Sequence, residues 1–219
     1  MSNGIKIAIG LIGLALITFL GVVSMQPDST HVERSLIIAA TPADTFPFAN
    51  NFDKWLLWNP WQGMDPSQKN TFSDSREGPG AWYTWEGNKD VGKGKMAIKS
   101  TKPPEQLKYD LQFIEPFPST ALITMTFAAE GDKTKVTWAF DGESDFMGKA
   151  FGLFVDMDAM LGADFQRGLD KLKPLAEKAT ADRLAAEKAA AEAAAAAAVP
   201  VEGAPADATT TVAAPPPAQ

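Results

Sequence analysis

Hydrophobic and polar positions follow three different rhythms along this chain. From Ile7 to Val23 the run IAIGLIGLALITFLGVV is apolar on every side. Between Lys69 and Phe140 apolar and polar residues alternate, and from Met147 to Leu172 apolar residues recur every three or four positions. A period of two predicts half-buried strands, a period near 3.6 predicts an amphipathic helix, and an unbroken apolar run predicts a helix with no polar face.

The seventeen uncharged residues from Ile7 to Val23 would span about 26 Å as a helix, the short end of a membrane crossing. Ile5 and Met25 extend the apolar character, and Lys6 is placed to snorkel to the interface. An uncleaved anchor is the favoured reading, because the A-x-A pattern is missing and the run is longer than the ~7 to 15 residues of a signal core. A cleaved signal, cut ahead of Met25 with Val22 and Ser24 at the small-residue positions, is the rival. Both readings put Lys6 and the amino terminus on the cytoplasmic side. The expected placement is therefore a single pass through the inner (cytoplasmic) membrane, with the soluble part periplasmic or extracellular.

Residues 26 to 31, QPDSTH, read as a tether, and VERSLIIAA (32 to 40) as a strand. In TPADTFPFANNF (41 to 52), Thr41 is a plausible N-cap with Pro42 at the first helical position, so a short helix starts there and Pro47 limits or displaces it. Five of the six tryptophans fall between Phe52 and Glu86, among Gly and Pro turns. NTFSDS, AWYTWEGN, GKMAIKS, QLKYDLQFI, ALITMTFAA and KVTWAF follow as strands, most joined by short turns. With the first strand they make about seven, an estimate from alternation alone. From Met147 the stripe Ala150, Phe154, Met157, Leu161, Phe165, Leu169, Leu172 predicts one long helix that lies on the sheet, with Pro174 kinking or ending it. Gly152 and Gly162 interrupt it and either leave room for a ligand or allow close packing, the latter being favoured.

Residues 176 to 198 are nearly all Ala, Glu and Lys, with Leu184 the only bulky apolar residue, which predicts a solvated helix. The Pro-, Ala- and Thr-rich stretch 199 to 219 is expected to be disordered. This tail reads as a spacer, with contact to an envelope partner as the other reading.

Charge and composition narrow the chemistry. A net charge of −7 argues against nucleic acid as a partner, since phosphates call for a basic face. With no cysteine and His31 the only histidine, thiolate and multi-histidine metal sites are excluded, and no cofactor is expected. GKGK (92 to 95) enters a strand rather than a helix, so it reads as a turn and not a phosphate loop. Glu86, Glu115, Asp141 and Glu143 lie near the sheet rim without a neighbouring histidine, and are expected at the surface.

The segments VERSLIIAATPADTFPFANNFDKWLLWNPW, GPGAWYTWEGNKDVGKGKMAI, KVTWAFDGE and DFQRGLDKLK, taken in that order, resemble the SRPBCC superfamily. That group includes START lipid-transfer domains, birch-pollen-allergen proteins and polyketide cyclase/dehydrase members, and the resemblance covers roughly residues 32 to 175. It implies an α+β helix-grip fold, a curved antiparallel sheet around a long C-terminal helix with a cavity for an apolar molecule. It does not imply catalysis.

The residues themselves are consistent with that outline. Trp58, Trp61, Trp82, Tyr83, Trp85, Met96, Phe113, Trp138, Phe140, Phe154, Met157 and Leu161 are the expected lining of a hydrophobic cavity, although Trp55, Trp58 and Trp61 serve equally well as a plug. The expected function is binding of a hydrophobic small molecule or lipid without catalysis. A cyclase or dehydratase in which Tyr83 or a rim carboxylate moves protons, and an envelope interaction protein with a filled core, are the alternatives.

Overall fold

The computed structural model describes residues 2–197; the stretch expected to be disordered, 199 to 219, lies outside them. The apolar run forms α1 (Asn3–Ser24). Next come β1 (Ser29–Ile38), three single-turn helices α2 (Pro42–Thr45), α3 (Pro47–Asn50) and α4 (Phe52–Trp55), then β2 (Lys69–Phe72) and β3 (Trp82–Glu86). β4 (Lys93–Lys102), β5 (Gln106–Glu115), β6 (Ser119–Glu130) and β7 (Lys133–Glu143) complete the sheet, and α5 (Phe146–Gly152) and α6 (Met157–Ala197) follow. The chain divides after Ala181 into two compact units.

All seven strands belong to one antiparallel sheet in the order β1-β7-β6-β5-β4-β3-β2. Each pair from β2 to β7 is consecutive in sequence, and β1 closes onto β7 with Val32 opposite Phe140 and Leu36 opposite Val136. The alternation read from the sequence appears directly in burial. Met96 and Ile98 of β4, Leu107 and Tyr109 of β5, Ile123, Met125 and Phe127 of β6, and Val136, Trp138 and Phe140 of β7 all face the core. The first unit is thus an α+β helix grip, a curved sheet closed by the C-terminal helix. β1 begins three residues earlier than expected, so Ser29, Thr30 and His31 belong to the sheet and not to a tether.

Thr41 does cap the first short helix, its hydroxyl oxygen accepting from the Asp44 N–H at 3.3 Å. Pro47 ends that helix and starts the next. Asn51 caps α4 by accepting from the N–H groups of Asp53 and Lys54 at 2.9 and 3.2 Å. Gly92, with φ of 68°, serves the β3–β4 turn, which accounts for GKGK without any phosphate.

The long helix departs from expectation twice. The stripe from Met147 to Leu172 is not one helix: α5 stops at Gly152 and α6 starts at Met157. Asp156 restarts the helix after the break by accepting from the Ala159 N–H at 3.0 Å, as Asp145 starts α5 through the Gly148 N–H at 2.8 Å. Phe154, between the two helices, consequently leaves the core face and is 80% exposed. Conversely, Pro174 sits inside α6 without ending it. The following turn is held to the rest of the unit, where the Glu177 carboxylate accepts from the Ala39 N–H at 3.1 Å and Thr180 donates to Asp44 at 2.7 Å. Buried Leu172 and Ala176 flank the proline, and this packing opposes the roughly 3 kcal/mol that proline costs a helix interior. In the second unit, α6 continues from Asp182 to Ala197 with an Arg183–Glu187 pair at 2.8 Å and Leu184 exposed.

Gly162 resolves in favour of close packing. A Cβ there would lie 2.0 Å from the Arg34 guanidinium. Arg34 donates to both carboxylate oxygens of Asp158, at 2.9 and 2.8 Å, and to the Asp158 carbonyl at 3.0 Å, which ties the first turn of α6 to β1. Gly152 lies in α5, off the core, with nothing near its Cβ position.

His31 pairs across the β1–β7 ladder with Asp141, Nδ1 to Oδ1 at 2.7 Å. That hydrogen bond raises the His31 pKa above its ordinary 6.5. A folded-state pKa above the unfolded one means the pair stabilises the fold fully below pH ~6.5 and loses that contribution as pH rises through the raised value. Both side chains are more than half exposed, so the effect on stability is small. An NMR titration of this single histidine is expected to show a raised pKa that falls toward 6.5 in Asp141→Asn. An unchanged midpoint would remove the pair as its cause.

Candidate functional site

The space under the sheet is packed at one end and hollow at the other. At the packed end the short helices and the turns beside them deliver Phe46, Phe52, Trp55 and Trp58 against Tyr109, Phe127, Leu169 and Leu172, all buried. At the other end a cavity of about 180 Å³ is lined by Tyr83 and Trp85 of β3, Met96 of β4, Leu111 and Phe113 of β5, Ile123 of β6, Trp138 and Phe140 of β7, and Leu161 and Phe165 of α6. Trp55, Trp61, Asn59, Gln68, Asp90 and Val91 close its edges.

Period two decides which aromatics can reach this space. Tyr83 and Trp85 point inward, so their neighbour Trp82 must point outward. Trp82 lies on the opposite face, with the Lys95 ammonium 4.9 Å from its ring centroid. Trp58 is fully buried but does not line the cavity; its Nε1 donates to the Phe48 carbonyl at 2.9 Å, the role of a plug. Phe154 is exposed because α5 ends before it, and Met157 lines a surface groove shared with Gln26 and Pro27 instead of the cavity. Trp61, Tyr83, Trp85, Met96, Phe113, Trp138, Phe140 and Leu161 are brought together around the cavity. Trp55, Leu111, Ile123 and Phe165 join them. Leu111 and Phe165 could be found from the same alternation and stripe, whereas Asn59 and Gln68 come from a loop with no periodicity to read.

Trp138 is the hub of the aromatic set. Its ring stacks on Phe165 at 4.3 Å and meets Trp55, Trp58 and Trp61 edge-on at 5.4, 5.3 and 6.0 Å. Neighbouring polar tips find partners: Trp55 Nε1 donates to the Tyr83 hydroxyl at 3.2 Å, and Trp61 Nε1 to the Asp164 carboxylate at 2.9 Å. Among the described residues, Trp138 Nε1 and Gln68 Oε1 are buried without a hydrogen-bond partner. Leaving such a group unpaired is unfavourable by about 1–3 kcal/mol.

The loop over the cavity edge is fastened by Asp65. Its carboxylate accepts from the Ser67 hydroxyl at 2.7 Å, the Ser67 N–H at 2.9 Å and the Asn88 N–H at 2.6 Å. These bonds, led by Ser67, hold its pKa below the usual carboxylate range. Tyr83 is the titratable group set into the wall; burial pushes its pKa up to about 12, against the lowering effect of the Trp55 hydrogen bond. Tyr109 is likewise raised by burial, and its hydroxyl donates to the Ala49 carbonyl at 2.6 Å. Glu86, Glu115, Asp141 and Glu143 are all exposed. Among the described residues no cluster of three His, Cys, Asp or Glu side chains is arranged to hold a metal ion.

A seven-stranded antiparallel sheet gripping a C-terminal helix over an aromatic-lined cavity defines the helix-grip class of folds. Residues 29–177 match the family model described as polyketide cyclase / dehydrase and lipid transport, and the chain belongs to that family. A structure from Chromobacterium violaceum is similar at a TM-score of 0.50 and 15% identity, over 69% of this chain and 98% of the other. One from Rhizobium loti is similar at 0.50 and 17%, over 67% and 96%. At such identities these likenesses support the fold alone. No curated protein matches.

Proposed function

We propose that this chain is a membrane-anchored protein whose helix-grip domain binds a small hydrophobic molecule without transforming it. The aromatic-lined cavity of about 180 Å³ carries the reading. A dry apolar cavity of ~150 Å³ is enough for a benzene-sized guest. The ligand enclosed here is therefore a one-ring compound or the end of a longer chain rather than a whole lipid. Tyr83, held protonated far above neutral pH, is poorly matched to proton transfer, which supports binding over a cyclase or dehydratase reaction. The family description names lipid transport beside polyketide cyclase / dehydrase, and its lipid-transport part supports binding.

The 22 residues of α1 reach about 33 Å, enough for a ~30 Å hydrocarbon core. Lys6 and the amino terminus precede the apolar run, which supports a cytoplasmic N-terminus and a domain on the outer side of the inner membrane. A second reading, a filled-core envelope protein, is favoured by one observation: the cavity lies below the ~300–1,000 Å³ of typical ligand pockets.

Native mass spectrometry with lipid extraction, on protein purified from its host envelope, tests the proposal. One apolar molecule per chain is expected, and it should be lost in Leu161→Trp, which places an indole in the cavity from a partly exposed helix position. An apo mass that persists after incubation with envelope lipids would favour the filled-core reading instead.

A further inference from the structure

Helix α5 has no buried residue, yet its sequence is FMGKAFG. Phe146, Met147, Phe151 and the following Phe154 are 50%, 65%, 49% and 80% exposed. A run of large apolar side chains left about half or more exposed marks an interaction surface.

Its position indicates the occupant. α5 lies against α1, and Val23 near the end of α1 is buried while Met25 beyond it is 84% exposed. Only residues 25–28 separate α1 from β1, a leash of at most about 14 Å. That leash is itself fastened to α5. Lys149 forms an ion pair with Asp28, the Ser144 N–H donates to the Asp28 carbonyl at 2.8 Å, and Ser144 and Thr30 share a hydroxyl hydrogen bond at 3.1 Å. The apolar residues of α5 and Phe154 are thereby held beside the last turn of α1, the depth at which a spanning helix leaves the hydrocarbon.

We infer that α5 and Phe154 form a lipid-docking surface that seats the domain on the outer face of the bilayer. The inference rests on the proposed membrane anchoring of α1. Insertion of aromatic and Met side chains into the acyl boundary, and not charge, provides the attraction. Asp145 and Asp156 flank the surface as helix caps, so a zwitterionic bilayer suffices. One consequence concerns the cavity: the docking surface leads through residues 153–156 into α6, whose first turns carry Leu161 and Phe165 on the cavity wall.

The chain contains no cysteine, so single labels can be placed cleanly. The full chain would be reconstituted in phosphatidylcholine vesicles containing doxyl-labelled lipid, with an environment-sensitive fluorophore on Phe154→Cys, Ile17→Cys or Asp132→Cys. Asp132 lies in the β6–β7 turn, just before the far end of β7, about 35 Å along the strand. The label at 154 is expected to be blue-shifted and quenched at least threefold more than that at 132, and adding Phe151→Asp should reverse much of this without lowering the thermal midpoint. A label at 154 as wet as that at 132, with 17 strongly quenched, would overturn the docking surface and leave the anchor standing. An unquenched label at 17 would overturn the anchor, and the inference with it.

Discussion

Trp138→Ala is expected to cost about 3–5 kcal/mol, a large share of the ~5–15 kcal/mol that holds a domain folded. The indole is 1% exposed and touches Phe165, Trp55, Trp58 and Trp61, which come from two separate parts of the chain, neither of them β7. Its removal leaves a void where β7, the short-helix segment and α6 converge, and rings packed edge-on cannot collapse to fill it. Trp138→Phe keeps a ring against Phe165 and deletes an N–H that has no partner, so a much smaller loss is expected. Urea unfolding followed by far-UV circular dichroism measures both. A loss under ~1 kcal/mol for the alanine variant would show that the aromatic hub does not hold the core together. For the same reason alanine at this position is a poor probe of ligand binding, because lost affinity would be inseparable from lost fold.

The second large effect is expected from a single methyl group. Gly94 lies opposite Trp85 in the β3–β4 ladder, and a Cβ on it would sit 2.2 and 2.4 Å from two Trp85 ring carbons and 2.6 Å from the Gln112 carbonyl oxygen. The indole covers the glycine face, so Gly94→Ala forces the ring away while backbone on the other side blocks relief. Overpacking of this kind costs about 1–3 kcal/mol. Trp85 also lines the cavity, so its displacement is expected to change the cavity shape and weaken the proposed ligand at least tenfold. Gly152→Ala is the matched control: nothing lies near that Cβ position, and a helical Gly→Ala change is neutral or stabilising by up to ~1 kcal/mol. Equal denaturation midpoints for the two variants would refute the steric account of Gly94.

The contrast between Tyr83 and Trp82 shows how legible the candidate site was. Alternation in β3 is a local rule, and applying it strictly would have removed Trp82 from the lining, since adjacent strand residues cannot share a face. Met96, Phe113, Trp138 and Phe140 obeyed the same rule and could be placed without coordinates. Phe154 failed for a different reason. Its spacing fits a helical stripe, but Asp145 and Asp156 cap two separate helices around it, a signal present in the sequence and outweighed there by periodicity. Pro174 is the reverse case, a local breaker overridden by packing and by the anchors at Glu177 and Thr180. No local pattern bears on these anchors, because their partners, Ala39 and Asp44, lie more than a hundred residues away.

By itself, the sequence determined the membrane-length apolar helix, the seven alternating strands and their inward faces, because each depends on a repeat among neighbouring residues. Tertiary structure alone decided that one end of the grip is filled and the other hollow. Whether facing side chains interdigitate depends on volumes arriving from the short helices, β7 and α6 together, and no periodicity encodes a volume shared among distant segments.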